Sequence, residues 1–91
     1  MSTVAQRLAD YTRRRAILAV LAFAPGRTAS ARTLRDELEG AHGQVATVDR
    51  VRADMIWLAD VGLVERQDDL AKLTETGADV VMQRAEMPGG G

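Results

Sequence analysis

The segment from Thr47 to Val64 constrains the fold most, because it reads as a helix that is cut off abruptly and runs straight into extended chain. Val48, Val51, Met55 and Leu58 recur at helical spacing and make one apolar stripe. Thr47 supplies the N-cap, and Gly62 supplies a left-handed stop after which Leu63 and Val64 begin a strand. Short extended runs at 63–67 and 70–73 are separated by Asp68-Asp69, a residue type that tolerates turns. Thr74 then caps another helix, whose apolar contacts are Ala78, Val80 and Val81. The order is helix, small hairpin, helix.

Upstream, Val4, Leu8, Tyr11, Ile17, Leu18 and Leu21 predict a first helix that ends near Ala24, where Pro25-Gly26 breaks it. Residues 27–29 can form a short strand. Ser30 caps a second helix with contacts at Ala31, Leu34 and Leu38, and Gly40 is expected to close it. The connection 41–46 exceeds the three or four residues of a tight helix-turn-helix and carries His42 as a solvated loop residue. The chain end from Met87 to Gly91 lacks side chains to pack, so the domain is expected over 1–87 and a mobile tail over 88–91. No internal repeat is found. Mainly α with a small β-hairpin in this order is a winged helix-turn-helix.

Ninety-one residues make one domain, with a core small enough that dimerisation would help it. There is no cysteine and one histidine, so neither a disulfide nor a His/Cys metal cluster can be built, and no cofactor is expected. A nucleophile with a base, a phosphate-cradling glycine loop and a G-x-S-x-G elbow are all missing, which argues against an enzyme. Arg13-Arg14-Arg15 followed by AILAVLAFA imitates a secretory leader. That reading fails because the basic region would contain Asp10, and cleavage would leave Pro25 first and remove a helix the domain needs. The same run is too short to span a bilayer, which takes about 20 apolar residues. A cytoplasmic protein without a membrane partner is expected.

The net charge of -1 conceals an asymmetry. Residues 1–35 carry seven arginines against the single acid Asp10, whereas residues 36–91 carry five basic residues and twelve acids. A chain with this polarity can bind phosphate through its first half or bind a second copy of itself, and composition does not separate the two.

Three stretches, RRRAILAVLAFAPGR, TLRDELEGAHGQVATVDRVRADMIWLADVGLV and LTETGADVVMQRAEMPG, resemble a family of small winged-helix proteins of Mu-like phages and prophages. The resemblance covers roughly residues 13–88, and its best marker is R-x-x-x-x-W-L-A-x-x-G-L-V from Arg52 to Val64. More loosely, the Gly-Leu-Val and Leu-Thr-Glu-x-Gly pieces resemble bacterial regulators of the multidrug-resistance and arsenic-sensing classes, in which such a helix reads the major groove. The wing departs from the pattern: Gln67-Asp68-Asp69 stands where a longer, glycine-bearing hairpin is expected.

Projection of the third helix at 100 degrees per residue puts Asp49, Arg50, Ala53, Ile56, Trp57 and Asp60 off the core stripe. Arg50 and Arg52 lie in its first turns, where a recognition helix offers side chains to base edges, and Gln44 and Thr47 can add phosphate or base contacts. Asp54 stands four residues after Arg50 and can neutralise it as a helical ion pair; otherwise this is a solvated, salt-bridged face. Arg32 and Arg35 on the second helix are candidate contacts to the phosphate backbone, and Arg13, Arg14, Arg15 and Arg27 extend that positive surface unless they only solubilise. An outward Trp57 with Ile56 asks for cover from the wing, the first helix or a second subunit, and Val81 and Met82 offer another dimer contact. The expected function is a double-stranded DNA-binding regulator in a phage or prophage programme. Its rival is an adaptor binding a phage protein partner, favoured by the acidity of residues 36–91; an inert remnant of a decayed prophage is the third reading.

Overall fold

Helix α1, Val4–Phe23, begins with a capping box in which the Thr3 hydroxyl accepts from the Gln6 backbone and Gln6 reciprocates; this is a computed structural model, and it describes residues 3–88. A single 3-10 turn, Pro25–Arg27, leads into strand β1, Thr28–Ser30. Helices α2, Ala31–His42, and α3, Val48–Asp60, follow; strands β2, Val64–Gln67, and β3, Leu70–Leu73, form the hairpin; α4, Glu75–Val81, completes the order. The fold is mostly helical with a small antiparallel sheet, a winged helix.

Ser30, Thr47 and Thr74 cap α2, α3 and α4 through their hydroxyls, as the sequence predicts. Helix α3 ends in a Schellman arrangement: Gly62 at φ 82 lets its N–H reach the Ala59 carbonyl and the Leu63 N–H reach the Leu58 carbonyl. The close of α2 differs from expectation. Gly40 stays inside the helix, His42 is its last residue rather than a loop residue, and Gly43 at φ 64 is the left-handed cap. The α2–α3 connection is correspondingly the shorter segment 43–47.

The sheet order is β1-β3-β2, all antiparallel. Ala29 of β1 sits opposite Ala71 of β3, and Val64 of β2 opposite Leu73, so the inward side chains face each other across the ladder. Strand β1 therefore starts one residue later than the residue-27 boundary, because Arg27 takes φ 53 in the preceding turn and cannot continue a strand. Beneath the sheet, Ile17, Leu18, Leu21, Leu34, Leu38, Val51, Met55 and Leu58 are fully buried and form one core.

Three features of the packing were not expected. Val4 and Leu8 on the first turns of α1 are exposed, so its buried stripe begins only at Ala16. Met87, placed by the sequence reading with the unpacked end, is buried in the core cluster; the expected tail at Gly89, Gly90 and Gly91 lies outside the described residues. Gly77 is buried so tightly in α4 that a Cβ there would lie 2.1 Å from the Leu63 carbonyl oxygen. That close approach seats α4 on the α3–β2 junction, where Thr74 also donates its hydroxyl to the Gly62 carbonyl at 2.7 Å.

Candidate nucleic-acid interface

Helix α3 presents different chemistry on each side. Val51, Met55 and Leu58 are buried as predicted, and Val48 packs partly against the same core. Asp54 is buried with them, at 1% exposure. It lies three residues after Val51 and four before Leu58, hence on the edge of the apolar stripe.

A carboxylate there needs cations, and α1 supplies two. Arg13 donates its Nε to Asp54 Oδ2 and its Nη2 to Asp54 Oδ1 at 2.8 Å; Arg14 Nε donates to Oδ1 at 3.1 Å. Asp10 accepts a further bond from Arg13 Nη2 at 2.7 Å. Burial pushes the Asp10 carboxyl upward, but the Arg13 hydrogen bond and charge outweigh it, so Asp10 titrates below its ordinary value. The Arg14 guanidinium also lies over the Trp57 ring, 4.3 Å from its centroid. The cover over Trp57 thus comes from the first helix.

These contacts correct two readings of the sequence. Asp54 does not neutralise Arg50, and Arg13 and Arg14 are committed to the interior of an α1–α3 joint instead of forming a positive surface with α2. The arginine triplet carried no sign of this by itself. The signal was Asp54, an acid on a core-facing position, which had to be partnered from another element.

On the opposite flank, Arg52 is half exposed and reaches the tip of the hairpin. Its Nε donates to Asp69 Oδ1 at 2.9 Å and its Nη2 to Asp69 Oδ2 at 3.2 Å, while Nη1 reaches Asp49 Oδ1 at 3.1 Å. The hydrogen bond from Arg52 holds the Asp69 carboxyl below the usual carboxylate range, aided by the charges of Arg66 and Arg32. Asp68 at φ 55 makes the two-residue turn, and the Asp69 carbonyl accepts from the Ala31 N–H at 3.1 Å. The wing is therefore short and pinned at its tip to the start of α2.

The predicted contact residues separate into two groups. Arg52 on α3 holds Asp69 directly, whereas the exposed Arg32 on α2 and Arg66 on β2 act on its titration only through their charge. Arg66 was not singled out in the sequence: alternation from buried Val64 puts it on the inward face of β2, yet it is exposed near the end of that strand. Arg50 lies 200 degrees from Arg52 around the helix and acts toward Asp10 on the α1 side. Thr47 is exposed with its hydroxyl accepting from the Arg50 N–H at 3.0 Å, and Gln44 is half-buried after the α2 cap. Arg35 bonds its neighbour Asp36 at 2.7 and 3.0 Å, and Arg27 lies 3.7 Å from Glu75. Ile56 and Met82 are exposed; Val81 and Trp57 are partly buried against the core. No helix among the described residues is long and apolar enough to cross a membrane.

No protein-family model and no curated protein matches the sequence. Among solved structures, the chain is similar to hsRosR-S1, seen in a complex, with 25% identity and a TM-score of 0.68. The match covers 78% of this chain and 65% of that one, so this chain spans less than two thirds of that protein's length. The likeness takes in the winged-helix architecture described above and agrees with a fold used by DNA-binding transcription regulators.

Proposed function

We propose that this protein binds double-stranded DNA as a winged-helix transcription regulator, with α2 and the N-terminal half of α3 against the duplex. The observation that carries the reading is the half-exposed guanidinium of Arg52, presented by α3 at the tip of the wing, with exposed Arg32 on α2 and exposed Arg66 on β2 as further cations. Such cations position a protein on phosphates, and the first turns of α3 then lie nearest the base edges. Its likeness to hsRosR-S1, a winged-helix transcription regulator, supports the same reading. Arg50, Thr47, Gln44 and Arg35 are secondary candidates, Arg50 on the α1 side of the helix. The placement in a phage or prophage programme rests on the sequence resemblance alone, whose best marker is the Arg52-to-Val64 motif. A homodimer through the exposed apolar Val4, Leu8 and Met82 suits a small core and the two-fold symmetry of operators.

A second reading has its own observation. The centre of the outer face of α3 carries Asp49, Ala53, Ile56 and Asp60, two acids and an exposed isoleucine, which suit a basic protein partner better than a phosphate. Fluorescence anisotropy with a mixed-sequence duplex at low salt separates the two. DNA binding predicts an affinity that falls steeply with salt, and a slope flattened by about one counterion in Arg32→Ala. No binding at low salt would sink the DNA reading in favour of the adaptor.

A further inference from the structure

The geometry points to Asp69 as an internal stand-in for phosphate: its carboxylate fills a seat at the Arg52 guanidinium that a DNA phosphodiester takes on binding. The inference rests on the DNA-binding reading and names the group that opposes it in the free protein. Arg52 grips Asp69 with two parallel hydrogen bonds, at 2.9 and 3.2 Å, through the same fork that recognises a phosphate. Both side chains are about half exposed, 48% for Arg52 and 47% for Asp69, so an incoming anion can reach the guanidinium. The third contact of Arg52, to Asp49, involves a side chain 92% exposed and held by nothing else among the described residues.

Asp69 cannot move away as the tip of a long wing would. Its carbonyl is tied to the Ala31 N–H at the start of α2, and the next residue, Leu70, is paired with both Ser30 and Gln67. The backbone anchors thus keep Asp69 near Arg52, so its negative charge stays local even when the carboxylate yields the guanidinium to a phosphate. An exposed pair of this kind is held weakly, so a phosphate competes for Arg52 at low cost, but the fixed negative charge then repels it. Asp69 therefore lowers the affinity for all sequences alike and leaves base selection to α3.

The test uses the full chain and the same mixed-sequence duplex. Asp69→Asn keeps a side chain suited to the turn and removes the charge; it is expected to tighten binding about 3- to 10-fold at low salt and to steepen the salt slope by about one counterion. Arg52→Ala should abolish the gain, so that the double variant binds like Arg52→Ala alone. Arg66→Ala should weaken the wild-type chain. In the free protein, the Arg52 Nε–H resonance should exchange faster with water in Asp69→Asn than in wild type, with unchanged circular dichroism. If the wild type binds DNA and Asp69→Asn binds equally or less well, the seat is refuted and the DNA reading stands. If neither binds duplex at low salt, the DNA reading fails and takes the seat with it.

Discussion

Two arginine–aspartate clusters flank α3, and two of the hydrogen bonds in each have nearly the same length. At the inner one Arg13 and Arg14 meet Asp54 at 2.8 and 3.1 Å; at the outer one Arg52 meets Asp69 at 2.9 and 3.2 Å. Their surroundings differ. Asp54 is sealed between α1 and α3, with Arg13 and Arg14 side chains 12% and 21% exposed, while the outer pair is open to water. Distance alone therefore says little about what an ion pair does. In the interior, losing one partner strands a charge that water cannot reach, so the cluster fixes how α1 packs on α3. At the surface, water or another anion replaces either partner, so the pair is exchangeable and can take part in binding.

The comparison is broken most directly by Asp54→Ala, expected to cost about 3–5 kcal/mol in urea denaturation because Arg13 and Arg14 lose their shared acceptor. Asp69→Ala in the same titration should move the midpoint far less; equal losses would mean that burial does not distinguish the clusters. Leu58→Ala supplies the uncharged scale on the same helix, at about 2–5 kcal/mol for a fully buried leucine. An Asp54→Ala loss well below that of Leu58→Ala would demote the inner cluster to a tolerated pair.

A smaller effect is expected at Trp57, which is half-buried beneath Arg14. Trp57→Ala should cost about 1–2 kcal/mol, lower the melting temperature at every protein concentration, and leave the sedimenting mass unchanged. A shift of mass instead would place the indole in a subunit contact. The smallest effect concerns acid. Asp10 and Asp69 both have carboxyls depressed in the folded chain, so each contributes stability above its unfolded pKa and loses it as pH falls through the lower folded value. Carboxylate NMR titration should find both below the usual range, and molar salt should erase the depression at exposed Asp69 more than at Asp10.

Much of the frame was legible in the residues. Ser30, Thr47 and Thr74 announce three helix starts because a hydroxyl satisfies an otherwise orphan N–H, and Gly62 announces a stop because only glycine takes φ 82 without strain. Gly40 misled for the same local reason: glycine permits a helix end without enforcing one, and Gly43 had the carbonyl of Leu38 within reach. The candidate site was legible in part. Arg32 and Arg52 stand out as candidates from their places on helices, whereas the hold of Asp69 on Arg52 depends on a turn packed against α2.

Caps, stops, apolar periodicity and the hairpin are written in the sequence by itself, since each is decided by a residue and neighbours within about one helical turn. The partners of the charges were decided only by the tertiary structure. Asp54 finds Arg13 and Arg14 across some forty positions, and Arg52 finds Asp69 across seventeen, because folding brings their elements into contact. Burial then separates two clusters of the same residue types into one that holds the fold together and one left accessible to a ligand, and the solvation that makes this difference exists only once the chain has packed.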